Sequence, residues 1–527
     1  MDMTNDLSTT RREFLKLVMA SSAGLAALAA GGLSAEEGTE EVKRPNILFL
    51  MTDQHRADCM GCSGNSIIKT PNLDRIAREG IRFTQAYSST PSCTPARAGL
   101  LTGLSPWHHG MIGYGKVAER YPFELPRAMH DAGYYTYAIG KLHYAPQRNY
   151  HGFDGALLDE SGRAQSQGFV SDYRKWFHAK APTLDPDATG IGWNEYRAGV
   201  YALPEELHPT RWTGDRAVEF IRGYDREEPF FLTVSFARPH SPYDPPKRFM
   251  DMYKPEDMPA PNVGKWAAKY APATQSNLSS WHGDLGLEQA RKSRQGYYGS
   301  VSFIDEQIGF VLKALEDKGM LDNTLIMFTA DHGDMLGDHN LWRKTYAYDG
   351  SAHIPMLMRW PKSMGCQSRR GSTAPQPVEL RDILPTCLDM AGKSAPDKKL
   401  DGASLLDLAR GESKHWREYI DLEHDTCYSK ENHWNALTDG RWKYIFHAFD
   451  GSQQLFDLST DPGELRDLAS DPKFAAELKK WRGRMVKHFA ERGDKFVKDG
   501  ELVVRFERML YSPLYPDKAE TGPGPAG

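Results

Sequence analysis

The chain has 527 residues and a formal net charge of −5, from 65 basic and 70 acidic side chains. A charge this small and evenly spread argues against a nucleic-acid partner, because nucleic-acid-binding surfaces usually carry a basic excess. The hydrophobic fraction of 40% and the 47 glycines are typical of a globular protein, and six cysteines are too few for a disulfide-stapled scaffold.

The first 35 residues carry the pattern of an export signal. Arg11 and Arg12 precede an uncharged stretch rich in alanine, glycine and leucine, which ends at Ala35 in an A-x-A-like cleavage site. This pattern resembles a twin-arginine signal peptide. The stretch is barely long enough to span a bilayer and is diluted by small residues. We therefore expect a removable leader over residues 1–35, no stable membrane span, and a periplasmic or secreted protein exported by the twin-arginine route.

Five short apolar runs recur at wide intervals after the leader. Runs of this length bounded by polar or turn residues are typical of strands buried on both faces, as in parallel sheets covered by helices. Helical patterns lie between them, and the clearest has apolar residues at spacings of three and four from Val301 to Leu315. The alternation predicts an α/β fold with a mostly parallel central sheet sandwiched by helices. The runs span residues 47–51, 134–139, 230–236, 324–328 and 356–360.

The sequence changes character after about residue 410. Asp-Gly pairs at 439–440 and 450–451 are hairpin turn signals between segments that contain tryptophan and tyrosine, which predicts a small antiparallel sheet. A helix is predicted over residues 474–492. We therefore expect a main domain over residues 44–410, a C-terminal α+β subdomain over residues 411–515, and a flexible tail over residues 516–527.

Polar side chains directly follow four of the predicted strands. A single Asp or His in such a place is most often a turn or cap residue, but ligands of open α/β sheets bind beyond the carboxyl ends of the strands, so four such groups favour one shared site. Two carboxylates, an amide oxygen and an imidazole suit a divalent cation. In chain order the groups are Asp53 with Gln54, Lys141 with His143, His240, and Asp331 with His332.

A fifth element supplies a cysteine in a distinctive setting. Cys93, Pro95 and Arg97 form a C-x-P-x-R motif that is followed by Thr102-Gly103, in a loop that opens a short helix. Backbone N–H groups at such a place favour an anion. Burial in the core is the commonest fate of a lone cysteine, but it leaves the neighbouring proline and arginine unexplained. With this extended motif the chain resembles the formylglycine-dependent (type I) sulfatases of the alkaline phosphatase superfamily.

The resemblance extends from Arg44 to about Ala469, through most of the chain. Many family members carry a second aspartate at the position of Gln54 and an asparagine at the position of His332. The combination found here resembles the branch that contains choline sulfatases and phosphonate monoester hydrolases, whereas the pair formed by Lys141 and His143 is more similar to the sulfatase side of that branch.

The resemblance implies a modified residue and a metal. In the family the motif cysteine, here Cys93, is oxidised to formylglycine by a formylglycine-generating or an anaerobic sulfatase-maturating enzyme. It also implies one divalent cation, for which we expect Ca²⁺ with Mg²⁺ and Mn²⁺ as alternatives, because amide and imidazole ligands suit calcium less well than carboxylates do. The implied metal ligands are Asp53, Gln54, position 93, Asp331 and His332.

The implied reaction is covalent catalysis on a sulfate ester. One hydroxyl of the aldehyde hydrate at position 93, held by Arg97, attacks sulfur, and the alcohol leaves. His143 then deprotonates the other hydroxyl, which expels sulfate and restores the aldehyde. Lys141 and Lys344 face the charge on the sulfuryl oxygens, and His240, with Lys344, protonates or stabilises the leaving oxygen.

The expected function is therefore that of an exported sulfatase acting on a sulfate ester, with a carbohydrate sulfate as the preferred substrate class. Three alternatives stay open: a phosphonate monoester or phosphodiester hydrolase, a choline sulfatase, and a non-catalytic binding protein with the same fold. Selectivity is expected to lie in the loops around residues 155–210 and 255–290.

Other candidate residues are weaker. Cys59 and Cys62 form a C-x-x-C, but the absence of a second pair in the sequence argues against a zinc or redox role. His108 and His109 follow the motif helix and line the pocket or form a turn. His433 and Trp434 in the C-terminal part shape the substrate cleft or pack in the core.

Overall fold

The computed structural model describes residues 44–161, 168–273, 278–395, 400–412 and 414–517. The predicted leader over residues 1–35 and most of the predicted tail lie outside these ranges. Among the helices within them, none is both long enough and apolar enough to cross a bilayer.

The core of the fold is an eight-stranded sheet with the strand order β4-β3-β5-β1-β6-β7-β2-β8. The five strands from β4 to β6 run parallel to one another, and β2 runs parallel to β8. The mostly parallel central sheet predicted from the sequence is thus confirmed. The strands are β1 (Asn46–Asp53), β2 (Ile81–Tyr87), β3 (Tyr135–Gly140), β4 (Gly155–Leu158), β5 (Phe230–Pro239), β6 (Thr324–Ala330), β7 (Met356–Arg359) and β8 (Ser372–Glu379).

Helices cover both faces of this sheet. Helices α2, α4, α10 and α11 pack on one face, and α1, α6 and α8 pack on the other. The predicted helix around residues 301–315 is the second half of α8, which is 31 residues long. The helices are α1 (Pro71–Arg78), α2 (Cys93–Thr102), α3 (Pro106–His109), α4 (Leu125–Asp131), α5 (Asp172–Lys180), α6 (Pro209–Gly223), α7 (Lys247–Met250), α8 (Leu287–Asp317), α9 (Asp349–Ala352), α10 (Ile383–Met390), α11 (Leu405–Arg410) and α12 (Ala475–Phe489).

Strand β1 shows why the predicted runs are continuously apolar. Ile47, Phe49 and Met51 point into one core cluster, and Leu48 and Leu50 point into the other. Successive side chains of a strand face opposite sides of its sheet, so a strand covered on both sides needs apolar residues at every position.

The sheet differs from the prediction in the direction of one strand and in three additional strands. Strand β7 is one of the five apolar runs, but it runs antiparallel to both β6 and β2. Burial on both faces makes the run apolar, and strand direction does not enter that pattern. Strands β2, β4 and β8 are not among the predicted ones, because exposed or half-exposed positions interrupt their buried ones.

The C-terminal part contains the predicted antiparallel sheet, in the order β12-β11-β10-β9. The two Asp-Gly pairs lie in its hairpin turns, and α12 packs on one face through Trp481, Met485 and Phe489. The predicted helix is confirmed, with its last residues in a 3₁₀ turn. The strands are β9 (Ile420–His424), β10 (Trp434–Thr438), β11 (Trp442–His447) and β12 (Gln453–Asp457), followed by the short pair β13 (Val497–Lys498) and β14 (Glu501–Leu502).

The last described segment packs on the loop that follows α3. The Ile112 N–H donates to the Leu510 carbonyl at 3.0 Å, and the Tyr511 hydroxyl accepts from the Lys116 N–H at 2.8 Å. Gly110 lies so close to this segment that a Cβ there would stand 2.4 Å from the Tyr515 Cα. The contacts hold the loop that carries Tyr114.

Gly140 at the end of β3 offers a test of how tightly the sheet edge is built. Its φ is +100°, and a Cβ would lie 2.0 Å from the Ser235 carbonyl oxygen. Gly319 has a φ of +66° with nothing within 4 Å of such a Cβ. We expect Gly319→Ala to lower the free energy of unfolding by about 1–2 kcal/mol and Gly140→Ala to lower it by at least ~2 kcal/mol more, since backbone must also move. Urea midpoints measure both, and equal losses would contradict the close approach.

Candidate active site

Cys93 is the first residue of α2 and is fully buried. Ser92 before it is extended, and its hydroxyl lies 2.9 Å from Nε2 of His424 in the C-terminal sheet. This contact anchors the start of the helix to a second part of the fold. The side chain at position 93 therefore stands at the positive end of a helix, where an anion is stabilised.

The strands β1 and β6 bring the predicted carboxylates to this cysteine. They are adjacent and parallel, so Asp53 and Asp331 leave the same edge of the sheet. Cys93 Sγ lies 3.2 Å from His332 Nε2 and 3.7 Å from Asp53 Oδ1. One ligand atom from each of Asp53, Cys93, Asp331 and His332 lies within 4.8 Å of the others. These four residues are called the strand-end cluster below.

Gln54 joins the cluster from an unusual backbone position. Its φ is +69°, in the left-handed region, and its N–H donates to Asp331 Oδ1 at 3.0 Å. Its Oε1 accepts from Lys344 Nζ at 3.4 Å, and the same ammonium lies 3.0 Å from Cys93 Sγ. The amide oxygen of Gln54 therefore faces the strand-end cluster.

The donor set fits a divalent cation. Burial by itself would raise the pKa of Asp53, but the charges of Lys141, His240 and Lys344 hold that pKa well below its usual range, so the carboxylate is ionised and able to bind metal. Carboxylate and amide oxygens suit a hard cation such as calcium or magnesium, and the His332 imidazole makes manganese equally suitable.

Three cationic side chains surround the cluster, and all are buried. Lys141 is 1% exposed and Lys344 is 5% exposed, although lysine is normally a surface residue. Lys141 Nζ donates to Asp53 Oδ2. Arg97 Nε donates to Asp331 Oδ2 at 3.1 Å, and another of its nitrogens donates to the Lys141 carbonyl at 2.8 Å. The arginine thus connects α2 to the ends of two strands.

Positive charge exceeds negative charge among these groups, because three cations face two carboxylates. This excess of positive charge acts on the thiol at position 93. Burial and the Asp53 carboxylate raise the pKa of the Cys93 thiol, but Lys344, Lys141 and His332 outweigh them and lower it to about 6. The site therefore stabilises an anion even without a metal.

The two predicted catalytic histidines stand on neighbouring strand ends. His143 has a φ of +60°, and its N–H donates to Glu160 at 2.9 Å. Its ring lies against Tyr114, with 6.4 Å between ring centroids. His240 follows β5, and its N–H donates to the Asp53 carbonyl at 3.1 Å.

Several weaker candidates lie in structural roles. His108 contacts Asp401 at 2.6 Å, and His109 Nδ1 accepts from the Met111 N–H at 3.2 Å. The His109 contact lies within a turn, whereas the His108 contact joins this segment to a distant part of the chain. Cys59 and Cys62 are free thiols outside the strand-end cluster.

Trp434 lies in the C-terminal sheet and contacts the segment that carries Lys344. It is buried, and its indole N–H donates to the Thr345 carbonyl at 2.8 Å, one residue after Lys344. It packs in the core and holds the segment that follows Lys344. His433 lies 3.4 Å from Asp425.

The loop over residues 155–210, which is one of the two expected to set selectivity, places Trp193 beside His240, with 6.1 Å between ring centroids.

Sequence reasoning missed two buried acids that hold site residues in place. Glu160 accepts the N–H groups of Leu142 and His143, both at 2.9 Å. Asp334 accepts from Gln54 Nε2 at 2.6 Å. Asp334 stands two residues after His332, and this position next to a predicted metal ligand could have marked it as a site residue. Glu160 lies in a segment that contains no such motif.

Comparison with known proteins agrees with this geometry. Residues 45–393 match the sulfatase family, and residues 337–491 match the C-terminal region of N-sulphoglucosamine sulphohydrolase. The chain therefore belongs to the sulfatase family of the alkaline phosphatase superfamily, and it is a sulfuric ester hydrolase.

Individual relatives cover most of the chain. An arylsulfatase of Clostridium perfringens is 38% identical, over 87% of this chain and 97% of its own length. A choline-sulfatase of Rhizobium meliloti is 32% identical, over 82% of this chain and 83% of its own length. The structure of a phosphonate monoester hydrolase of Agrobacterium radiobacter is similar with a TM-score of 0.73 at 28% identity, over 88% of this chain and all of that one.

The strand-end cluster can be tested as a metal site by thermal unfolding. After chelation, adding Ca²⁺ at about 100 times its Kd should stabilise the protein by about 2.7 kcal/mol. Asp331→Asn should weaken the affinity at least tenfold, about 1.4 kcal/mol, because a ligand charge is lost. Asp58→Asn is the control, since the Asp58 side chain is 62% exposed and away from the cluster. Equal stabilisation of both variants would exclude Asp331 as a ligand.

Proposed function

We propose that this chain hydrolyses sulfate esters by means of a formylglycine formed from Cys93, with a divalent cation held by Asp53, Gln54, Asp331 and His332. The supporting observation is that position 93, two carboxylates and three buried cations share one site at the end of the central sheet. A sulfate ester is an anion, and this excess of positive charge would bind it.

The modified residue and the cation would supply a nucleophilic oxygen and Lewis-acid polarisation of the sulfuryl group. The chain's own side chains would orient the nucleophile and stabilise the developing charge. Arg97 orients position 93 because it is fixed by Asp331 and by the Lys141 carbonyl. Lys141 and Lys344 would stabilise negative charge that develops on the sulfuryl oxygens, which is the electrostatic contribution expected to dominate.

The two histidines would move protons. His143, whose backbone is fixed by Glu160, would accept a proton from the side chain at position 93 in the sulfate-release step. His240 would donate a proton to the leaving alcohol oxygen, with Lys344 stabilising the charge there. Their placement on adjacent strand ends supports a division into one base and one acid.

A phosphonate monoester or phosphodiester hydrolase is the second candidate. The structural similarity to the phosphonate monoester hydrolase and the presence of Gln54 and His332 favour it. Choline sulfate is an alternative substrate, given the choline-sulfatase relative.

We propose a carbohydrate sulfate as the substrate class. Tyr114 beside His143 and Trp193 beside His240 are half-buried aromatic residues next to the two proposed proton-transfer groups. Amphipathic rings at a site entrance suit a ligand with both apolar faces and hydroxyl groups, such as a sugar.

Export and maturation can be tested on one sample. Protein from the periplasmic or secreted fraction of the native host should begin after Ala35, and its peptide containing position 93 should carry an aldehyde instead of a thiol. Cys93→Ala should lower kcat at least ~10³-fold, as loss of a nucleophile does. Cys62→Ala is the matched control and should keep full activity. An intact thiol at position 93 in active protein would overturn the formylglycine mechanism.

The substrate class can be tested by comparing kcat/KM on a sulfated monosaccharide, choline sulfate, an aryl sulfate, an aryl phosphonate and an aryl phosphodiester. We expect each aryl phosphorus ester to fall at least tenfold below the aryl sulfate, about 1.4 kcal/mol in transition-state binding, and the sugar to exceed choline sulfate. A preference for a phosphorus ester would favour the second candidate instead.

A further inference from the structure

Asp334 is completely buried and lies outside the strand-end cluster. It accepts four hydrogen bonds. Oδ1 accepts from the backbone N–H groups of Leu336 at 3.0 Å and Arg343 at 3.1 Å. Oδ2 accepts from the Tyr243 hydroxyl at 2.5 Å and from Gln54 Nε2 at 2.6 Å. All four partners are donors, which is the arrangement that an ionised carboxylate requires.

The contact with Gln54 decides which way its amide points. A carboxylate only accepts, so the group of Gln54 that faces Asp334 must be the NH₂, and the oxygen must face the other way. That oxygen meets Lys344 Nζ. A flipped amide would place oxygen against a carboxylate and NH₂ against an ammonium, and both contacts would be repulsive.

The rest of Gln54 is already fixed. Its N–H donates to Asp331 Oδ1, and its carbonyl accepts from the Tyr297 hydroxyl at 2.5 Å. With its backbone held on both sides, a flip of the terminal amide is the change that exchanges its oxygen and nitrogen. Asp334 removes that freedom.

Asp334 also holds the segment that carries Lys344, whose ammonium contacts the Gln54 oxygen. Through Oδ1 it binds the N–H of Arg343, which has a φ of +66° and immediately precedes Lys344. The Asp334 carbonyl accepts from Arg56 at 2.9 Å, which ties its own backbone to the segment after β1. One carboxylate therefore positions both Gln54 and Lys344.

We propose that Asp334 is a positioning residue that selects the amide orientation of Gln54, so that an oxygen and not an NH₂ group faces the metal. The proposal rests on the proposed function, in which Gln54 binds the cation. It also explains why position 54 carries an amide. A glutamate there would bring a second carboxylate to the 2.6 Å contact with Asp334.

Variants that exchange the hydrogen-bond donor and acceptor between positions 54 and 334 test this proposal directly. In Asp334→Asn an NH₂ group can face the Gln54 NH₂, and in Gln54→Glu two carboxylates face each other. In the double variant the hydrogen bond returns with its direction reversed, and an oxygen of the glutamate faces the metal. We expect Asp334→Asn to lower calcium affinity at least tenfold with Gln at position 54 and less than about threefold with Glu there, because either oxygen of a glutamate can face the metal.

The measurement is calorimetric titration of calcium alone into metal-stripped full-length protein, with kcat on an aryl sulfate and the urea midpoint recorded for every variant. A merely structural role for Asp334 predicts additive losses, so that Asp334→Asn weakens binding equally with Gln or Glu at position 54. Additivity would overturn the proposal. Tyr243→Phe removes the other donor to Oδ2 and leaves Gln54 untouched, so it should lower stability while calcium affinity stays within threefold.

The remaining outcomes are also decisive. If Asp334→Asn alone does not fold, folding and calcium binding by the double variant would support the proposal, and failure of both to fold would overturn it. If the wild type binds neither calcium, magnesium nor manganese, the metal site of the proposed function fails, and this inference fails with it. If the wild type binds and the two changes are additive, the inference fails alone.

Discussion

The site depends on mutual neutralisation of charges buried at one edge of the central sheet. Arg97 is paired with Asp331 and lies 3.6 Å from Asp53, which also accepts from Lys141. An unpaired charge in such a place would be strongly destabilising, so each of these groups depends on the others. Beside position 93 itself, Arg97, Lys141 and Lys344 outnumber the two carboxylates of the strand-end cluster, which leaves positive charge for an anionic substrate. Stability and anion binding therefore use the same ion pairs.

Parallel strands make this arrangement possible. Neighbouring strands that run in one direction end at the same edge, so β1, β3, β5 and β6 deliver their terminal residues to one place. Helix α2 adds position 93 from one face, and the antiparallel sheet supports it from the side. His424 contacts Ser92, and Trp434 contacts Thr345, so the C-terminal part contributes to the geometry of the site.

Three residues at the site or next to it have strained backbone. Gln54, His143 and Arg343 all have φ between +60° and +69°. Such conformations cost about 1–3 kcal/mol each for residues other than glycine and persist only where the surroundings impose them. Hydrogen bonds to the backbone hold them here. Glu160 accepts from the His143 N–H and Asp334 from the Arg343 N–H, while Asp331 and Tyr297 bind the backbone of Gln54.

The sequence by itself determined the two-sided burial of the central strands and the antiparallel hairpins, and it indicated the residues that the proposed function uses, because these follow from local patterns: continuous apolar runs, Asp-Gly turns, and the motif from Cys93 to Gly103. The direction of β7 depended on tertiary contacts, since an apolar run carries no information on strand direction. Strands β2, β4 and β8 also depended on them, because their burial is interrupted. The roles of Glu160 and Asp334 were likewise decided only in three dimensions. Asp334 meets a glutamine 280 positions away in the chain, and a hydrogen bond between such distant residues leaves no local periodicity or spacing from which it could be predicted.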